Sequence, residues 1–249
     1  MSKKINVTVW NEEDENPKHQ PAYPEGIHNA IAAFLKDGEQ VGTLRTATQS
    51  QPEHGLSQEV LDDTDVLLWW GHIFHGMVSD EVVERVKQRV LSGMGLLVLH
   101  SGHASKIFKS LLGTNTNNLR WRENNERERV WVIEHNHPIT AGVGEYIEIP
   151  ESETYGEHFD IPAPDELIFV SWYSGGDVFR SGCTFKRGLG KIFFFSPGHE
   201  SYRIYDMPQI QQVIKNAIGW AAPVAYPTIL TQHQKVSPED LYKQANNLE

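Results

Sequence analysis

Gly95-Leu-Leu-Val-Leu-His100-Ser101-Gly102-His103-Ala104-Ser105 is the stretch around which the rest of the chain is organised. The apolar run Leu96–Leu99 is too short for a helix and shows no polar alternation, which is the pattern of a strand buried on both faces of a parallel sheet. It stops at His-Ser-Gly-His. The following Lys106-Ile-Phe-Lys-Ser-Leu-Leu-Gly113 puts Ile107, Phe108, Leu111 and Leu112 on one helical face and ends at a glycine. Strand, sharp polar turn and helix is the layout in which α/β folds display chemistry at the carboxyl ends of their strands. Here the displayed residues are two histidines and a serine.

Outward from this turn, the same unit recurs. Ile5–Trp10 reads as a first strand and opens into a polar loop, residues 11–23, with Glu12, Glu13 and Asp14 in a row. Pro24 starts a helix with Ile27, Ile31, Phe34 and Leu35 on its buried face. Val41–Thr46 is a second strand, and Val66-Leu-Leu-Trp-Trp70 a third that ends in Gly71-His72-Ile-Phe-His75. Ser79 caps the next helix, whose core stripe is Val82, Val83, Val86 and Val90. These β/α units imply an open, mostly parallel sheet. The middle differs: residues 129–134, 146–149, 166–172, 177–185 and 191–196 read as strands joined by turns, an antiparallel extension plus the last sheet strands. Residues 120–129 are densely charged and read as a solvated loop or edge. A last core helix begins at Asp206 and Pro208. Residues 1–223 form one domain, and 224–249 a tail with a short helix capped at Ser237, expected to pack on the domain or on a neighbouring subunit.

The chain has 249 residues, 39% of them hydrophobic, and a net charge of −11, which argues against nucleic acid or an anionic membrane surface as partner. No apolar run reaches membrane-spanning length, so a cytoplasmic protein is expected. The single cysteine, Cys183, excludes an internal disulfide framework and reads as a buried, inert thiol. Histidine is the unusual residue: there are twelve.

A parallel sheet would bring Asn11, His72, His100, Ser101 and the His199-Glu200 pair to one rim, with His28 near the start of the first helix. The loop Tyr155-Gly-Glu157-His158-Phe-Asp160 would close over it. Ser101 stands where a nucleophile would, but Leu99 and His103 occupy the glycine positions of Gly-x-Ser-x-Gly, and helix capping is the plainer reading. Imidazoles from three strand ends, His72, His100 and His199, with Glu157 or His158 as a fourth group, form a donor set for zinc or another divalent cation. Taken singly, each histidine reads as a hydrogen-bonded structural residue before a ligand, and only several at one rim bring a metal or proton-transfer role level with that reading. Trp69 and Trp70 read as packing, with stacking on a sugar ring as the alternative for a strand-end aromatic.

The motifs Trp69-Trp-Gly-His72-Ile-Phe-His75, Leu99-His-Ser-Gly-His103, Tyr155-Gly-Glu157-His158-Phe-Asp-Ile-Pro162 and Phe195-Ser-Pro-Gly-His199-Glu200 together resemble the trehalose-utilisation (ThuA-like) family. The resemblance implies a fold similar to class I glutamine amidotransferases, a flavodoxin-like three-layer α/β/α domain, and a part in trehalose or related disaccharide metabolism. The amidotransferase elbow reads Cys-x-Gly-His-Gln. Here His100 stands in place of the thiol, so glutamine hydrolysis through a thioester has no route.

The leading expectation is a metal-assisted enzyme acting on a disaccharide or keto-sugar derivative by isomerisation, elimination or hydrolysis. Its divalent cation, zinc first, is held by His72, His100 and His199, with His158 and His28 as substitutes. Glu157 moves the proton, His100 and Ser101 complete the catalytic set, and Trp70, His28, His103, Tyr155 and Glu200 contact the sugar. The rival readings are a non-catalytic sugar-binding or regulatory subunit partnering a sugar oxidoreductase, and an amidase using Ser101. A homo-oligomer is expected.

Overall fold

A computed structural model of the chain describes residues 4–12, 21–36, 38–224 and 236–248. Its centre is a nine-stranded sheet built from β1 (Ile5–Asn11), β2 (Val41–Thr48), β3 (Val66–Trp70), β4 (Gly95–Leu99), β5 (Arg120–Val132), β6 (Tyr146–Gly156), β7 (Glu166–Tyr173), β8 (Val178–Arg187) and β9 (Gly190–Phe195). The order is β2-β1-β3-β4-β9-β8-β7-β5-β6. The first five in that order pair in parallel, and the pairs from β9 outward are antiparallel. The chain is thus a mixed α/β protein, as the alternation of strand and helix patterns predicts.

The apolar runs of β1, β3 and β4 are explained by helices on both faces. Val7, Val9, Leu68, Trp70, Leu97 and Leu99 pack with α1 (Ile27–Leu35) and α5 (Pro208–Ala221). The alternate residues Trp10, Leu67, Trp69, Leu96 and Val98 pack with α3 (Asp80–Leu91) and α4 (Lys106–Leu112), and Leu61 joins this cluster from α2 (Gln58–Asp62). A strand with both faces buried takes mainly apolar side chains, and the polar ones buried in β1 are paired, Thr8 with Thr64 at 2.8 Å and Asn11 with His28 at 2.9 Å. Ser79 caps α3 by accepting the Val82 amide. No helix among the described residues is long and apolar enough to cross a membrane.

Three expectations change. First, α4 is capped by Ser105, whose hydroxyl accepts the Phe108 amide, and not by Ser101. A short 3-10 turn, His100–Ala104, lies between β4 and the helix and delays its start. Second, residues 120–129 are most of β5 and lie between β6 and β7, not at an edge. Their charges are neutralised locally: Arg122 binds Glu126 at 2.6 Å and Asp177 at 2.6 Å. Buried Glu128 accepts from Ser152 (2.8 Å), Ser171 (2.5 Å) and Tyr173 (3.2 Å). Third, α6 (Pro238–Asn246), capped by Ser237 as expected, has no residue buried on this chain, which leaves packing on a neighbouring subunit as the untested half of that expectation. Ile229 and Leu230 of the tail, and Glu13 and Asp14 of the first loop, lie outside the described residues. Cys183 sits inside β8, fully buried.

Candidate functional site

Four adjacent parallel strands, β1, β3, β4 and β9, end on one rim, and Glu12, His72, His100 and His199-Glu200 come directly after them or within five residues. His100 takes the first position after β4 with φ 51°, a left-handed conformation that a non-glycine residue adopts only when its surroundings hold it there. Its ring is held between Trp70 and Tyr155, nearly parallel to both: the centroids are 6.1 and 5.6 Å away and the planes 15° and 18° apart. At the end of β9, Gly198 has φ 140° and a Cβ there would collide with the Tyr205 hydroxyl, so only glycine turns the chain into His199. The Gly198 carbonyl accepts the Trp70 indole N–H at 3.0 Å, which ties the two strand ends together.

The side chains converge. Glu200 Oε1 lies 3.2 Å from His72 Nε2 and 3.3 Å from His199 Nε2, and Glu200 Oε2 lies 4.0 Å from His100 Nε2. Glu153 Oε2 lies 3.4 Å from His100 Nε2 and 3.9 Å from His199 Nε2. Glu123, at the solvent side, reaches His199 Nε2 at 3.4 Å. Glu153 belongs to β6, at the far edge of the sheet. Register shifts between Arg122, Glu126 and Glu128 interrupt the β5–β6 pairing, and such irregularities bend a strand pair. The Tyr155 hydroxyl reaches Ser101 Oγ at 2.6 Å.

Burial governs the charges. His72 and His199 are pushed down to about 4, by burial and, for His72, by His199 next. His100 is lowered for the same reasons. Burial, then the neighbouring carboxylates, lifts Glu153 to about 8 and Glu200 to about 7. The imidazoles are therefore neutral lone-pair donors near pH 7. His72 Nδ1, His100 Nε2, His199 Nε2, Glu153 Oε2 and Glu200 Oε2 are all buried without a hydrogen-bond partner.

The donors fit a cation. Two groups, His72-His100-Glu200 and His100-Glu153-His199, each place their ligand atoms within 4.8 Å of one another and share His100. Ligands of a tetrahedral zinc, bonded at about 2.0 Å, stand about 3.3 Å apart, close to the 3.2 and 3.4 Å found for His72–Glu200 and His100–Glu153. Hydrogen bonding separates two of the imidazoles. His100 Nδ1 donates to the Ser196 carbonyl at 3.1 Å, which leaves Nε2 with its lone pair. His199 Nδ1 accepts the Ser201 amide at 3.1 Å, so the neutral ring carries its proton on Nε2, facing the carboxylates. His199 is in the cluster, but it turns an N–H rather than a lone pair toward Glu200 and Glu153, without a hydrogen bond to either.

The remaining expected residues divide. Ser101, His103 and Tyr155 line a cavity of about 540 Å³ together with His72, His75, Glu123 and Glu153. Ser101 has the Tyr155 hydroxyl as its partner, and among the described residues no imidazole is hydrogen-bonded to it, so the amidase arrangement is missing its base. His103 donates Nδ1–H to the Thr116 carbonyl at 3.0 Å. Trp70, expected on the sugar, is buried beneath His100 and offers no surface to a ligand. His28 is buried in α1 against Asn11 Nδ2 at 2.9 Å and does not line the cavity. His158 is exposed outside it. Glu157 is held by Arg180 Nε (2.8 Å) and Nη2 (2.9 Å) and by the Phe159 amide (2.7 Å), which lowers its pKa and makes it the clasp of the 157–162 loop.

Sequence reading missed Glu153, Glu123 and a further pair. Glu12 Oε1 accepts the Ile73 amide at 2.7 Å and the Phe74 amide, and Glu12 Oε2 lies 3.2 Å from His75 Nδ1. The signal for Glu153 was its spacing from Tyr155: two residues apart on a strand, they face the same way.

Among curated proteins none matches the chain. Among solved structures, the fold is similar to a putative ThuA-like protein from Parabacteroides merdae (TM-score 0.66, 12% identity, 91% of this chain and 94% of that one). It is also similar to a putative ThuA-like protein from Bacteroides uniformis (TM-score 0.60, 14% identity, 88% and 91%). A third is cytoplasmic protein STM3548 from Salmonella typhimurium (TM-score 0.59, 12% identity, 88% and 100%). The profile of the ThuA family, described as trehalose utilisation, matches residues 6–221, which takes in the sheet but for the first residue of β1 and every cluster residue above, and the chain belongs to that family.

Proposed function

We propose that this protein is a metal-assisted enzyme acting on a disaccharide or keto-sugar derivative, by isomerisation, elimination or hydrolysis. The observation that carries the reading is the convergence of His72, His100, Glu153 and Glu200, in which His100 Nε2, Glu153 Oε2 and Glu200 Oε2 are buried without a hydrogen-bond partner. Leaving such atoms unpaired costs stability, and a divalent cation, zinc first, satisfies them together. When bound, the cation polarises a carbonyl or hydroxyl oxygen. His199 presents its Nε2–H to the carboxylates, 3.3 Å from Glu200 and 3.9 Å from Glu153, and would orient them once the cation draws the cluster together. Proton movement falls to cavity groups outside the ligand set: His75, whose Nδ1 lies 3.2 Å from Glu12 Oε2, and the Ser101–Tyr155 hydroxyl pair. Glu157, bound to Arg180, takes no part.

The sugar class rests on the family description. A sugar oxidoreductase is the partner that would supply a keto derivative, and a cytoplasmic setting, where thiols stay reduced, belongs to the same reading. So does a flavodoxin-like three-layer class, since β2-β1-β3-β4-β9 follows that doubly wound order. The test is elemental analysis of the purified protein, then turnover of trehalose and its keto derivative followed by NMR before and after chelation. Stoichiometric metal with turnover lost on chelation is expected. Metal-free protein, or turnover that survives chelation, overturns the proposal. Metal and sugar binding without turnover returns the protein to a sugar-binding subunit.

A further inference from the structure

The cavity extends outward from the cluster along β5 and β6. Trp121 of β5 pairs in register with Tyr155 of β6, so their side chains stand beside each other on one face. Tyr155 is 4% exposed and stacks on His100, while Trp121 is 65% exposed and lines the same cavity. Glu123, two residues along β5 and hence on the same face, reaches His199. The series His100, Tyr155, Trp121 is thus a wall that begins at the cation cluster and ends in a free indole at the mouth. Asn117 and Asn118 line the mouth with amides.

We propose that Trp121 is the stacking platform for the outer ring of an unphosphorylated disaccharide, whose inner ring lies at the cation cluster. A pyranose has an apolar C–H face, which suits an exposed indole, and a rim of hydroxyls, which suits the asparagine amides and Glu123. Trp121 is 65% exposed where it lines the cavity, so most of its indole face is open to a ligand. The phosphate is excluded by charge. At the mouth Glu123 lines the cavity beside Trp121, and no lysine or arginine is among the described lining residues, so a phosphate on the outer ring, away from the cation cluster, would meet a carboxylate with nothing to bind it. A monosaccharide would occupy the inner position and not need Trp121.

This inference rests on the sugar reading above but is tested separately from the metal. Trehalose, glucose and trehalose 6-phosphate are titrated calorimetrically into the parent protein, Trp121→Ala and Trp121→Phe, with metal content and melting temperature measured on each preparation. Trp121→Ala should weaken trehalose at least tenfold, about 1.4 kcal/mol, with glucose changed less than twofold. Trp121→Phe should retain most of the trehalose affinity, and trehalose 6-phosphate should bind the parent at least tenfold more weakly than trehalose. Melting temperature and metal content should not move, because the residue is exposed and is no ligand. Equal effects on trehalose and glucose, no effect on either, tight binding of the phosphate ester, or no binding of the three sugars to the parent overturns the inference. Trp121-dependent trehalose binding by protein that holds no metal would sustain it and remove the metal-assisted mechanism.

Discussion

The imidazoles of His100 and His199 meet edge to face, with centroids 5.1 Å apart and planes at 85°, yet they are hydrogen-bonded in opposite senses. His100 gives its Nδ1 proton to a carbonyl, whereas His199 receives an amide proton at Nδ1. One ring therefore offers the cluster a lone pair and the other a proton. Two histidines that the sequence presents as equivalent have different chemistry, and this sets the first prediction.

His100→Ala removes a ligand and should lower zinc affinity more than about 100-fold. His199→Ala removes an orienting partner, for which losses of about 10–100-fold are usual. Competition against a chromophoric chelator measures both. Equal losses, with little added in the double variant, would make His199 a ligand on the same centre.

Glu153 and Glu157 are four residues apart and should behave oppositely. Glu153→Gln should strip the metal at an unchanged or higher melting temperature, since burial already lifts that carboxyl to about 8. Glu157→Gln breaks the clasp to Arg180, a partly exposed charged pair, and should cost about 1 kcal/mol of stability with metal content intact. Thermal melts paired with elemental analysis separate the two, and loss of metal from Glu157→Gln would return it to the site.

Glu128, whose partner Ser152 adjoins Glu153, supplies a pH dependence of stability. Burial raises its pKa against the opposing hydroxyls of Ser171, Ser152 and Tyr173. Above about pH 4.3, where the unfolded carboxyl releases its proton, the folded protein still holds it. The folded state then binds more protons, so this group's contribution to stability falls as pH rises toward its folded pKa. Glu128→Gln cannot ionise. Its melting temperature, relative to the parent, should climb between pH 4 and pH 8, and a constant difference across that range would refute the assignment.

Cys183 should be unreactive in the native protein. It is fully buried in β8, and burial pushes its thiol up to about 12. At pH 8 that leaves about one thiol in ten thousand ionised, and the thiolate is the reactive form. A maleimide should label the chain only after denaturation, and Cys183→Ala should keep metal and sugar binding. Fast labelling of native protein would contradict the burial.

The amino-acid sequence alone determined the parallel half of the fold and the histidine rim. Apolar runs such as Leu96–Leu99 can only be strands covered on both faces, and parallel strands deliver the residues at their carboxyl ends, His72, His100 and His199-Glu200, to one edge. These are local patterns, legible because period and chain direction fix where a residue goes. Tertiary structure alone decided which carboxylate completes the cluster. Glu153 and Glu157 are equally acidic in the sequence, and the difference comes from the bent β5–β6 ribbon, which carries one to His100 and leaves the other with Arg180. It also decided that Ser105, not Ser101, caps α4, that Trp70 supports His100 from below, and that Trp121 stands free at the cavity mouth. Each depends on contacts between residues distant in the chain, and hydrophobic periodicity carries no information about those.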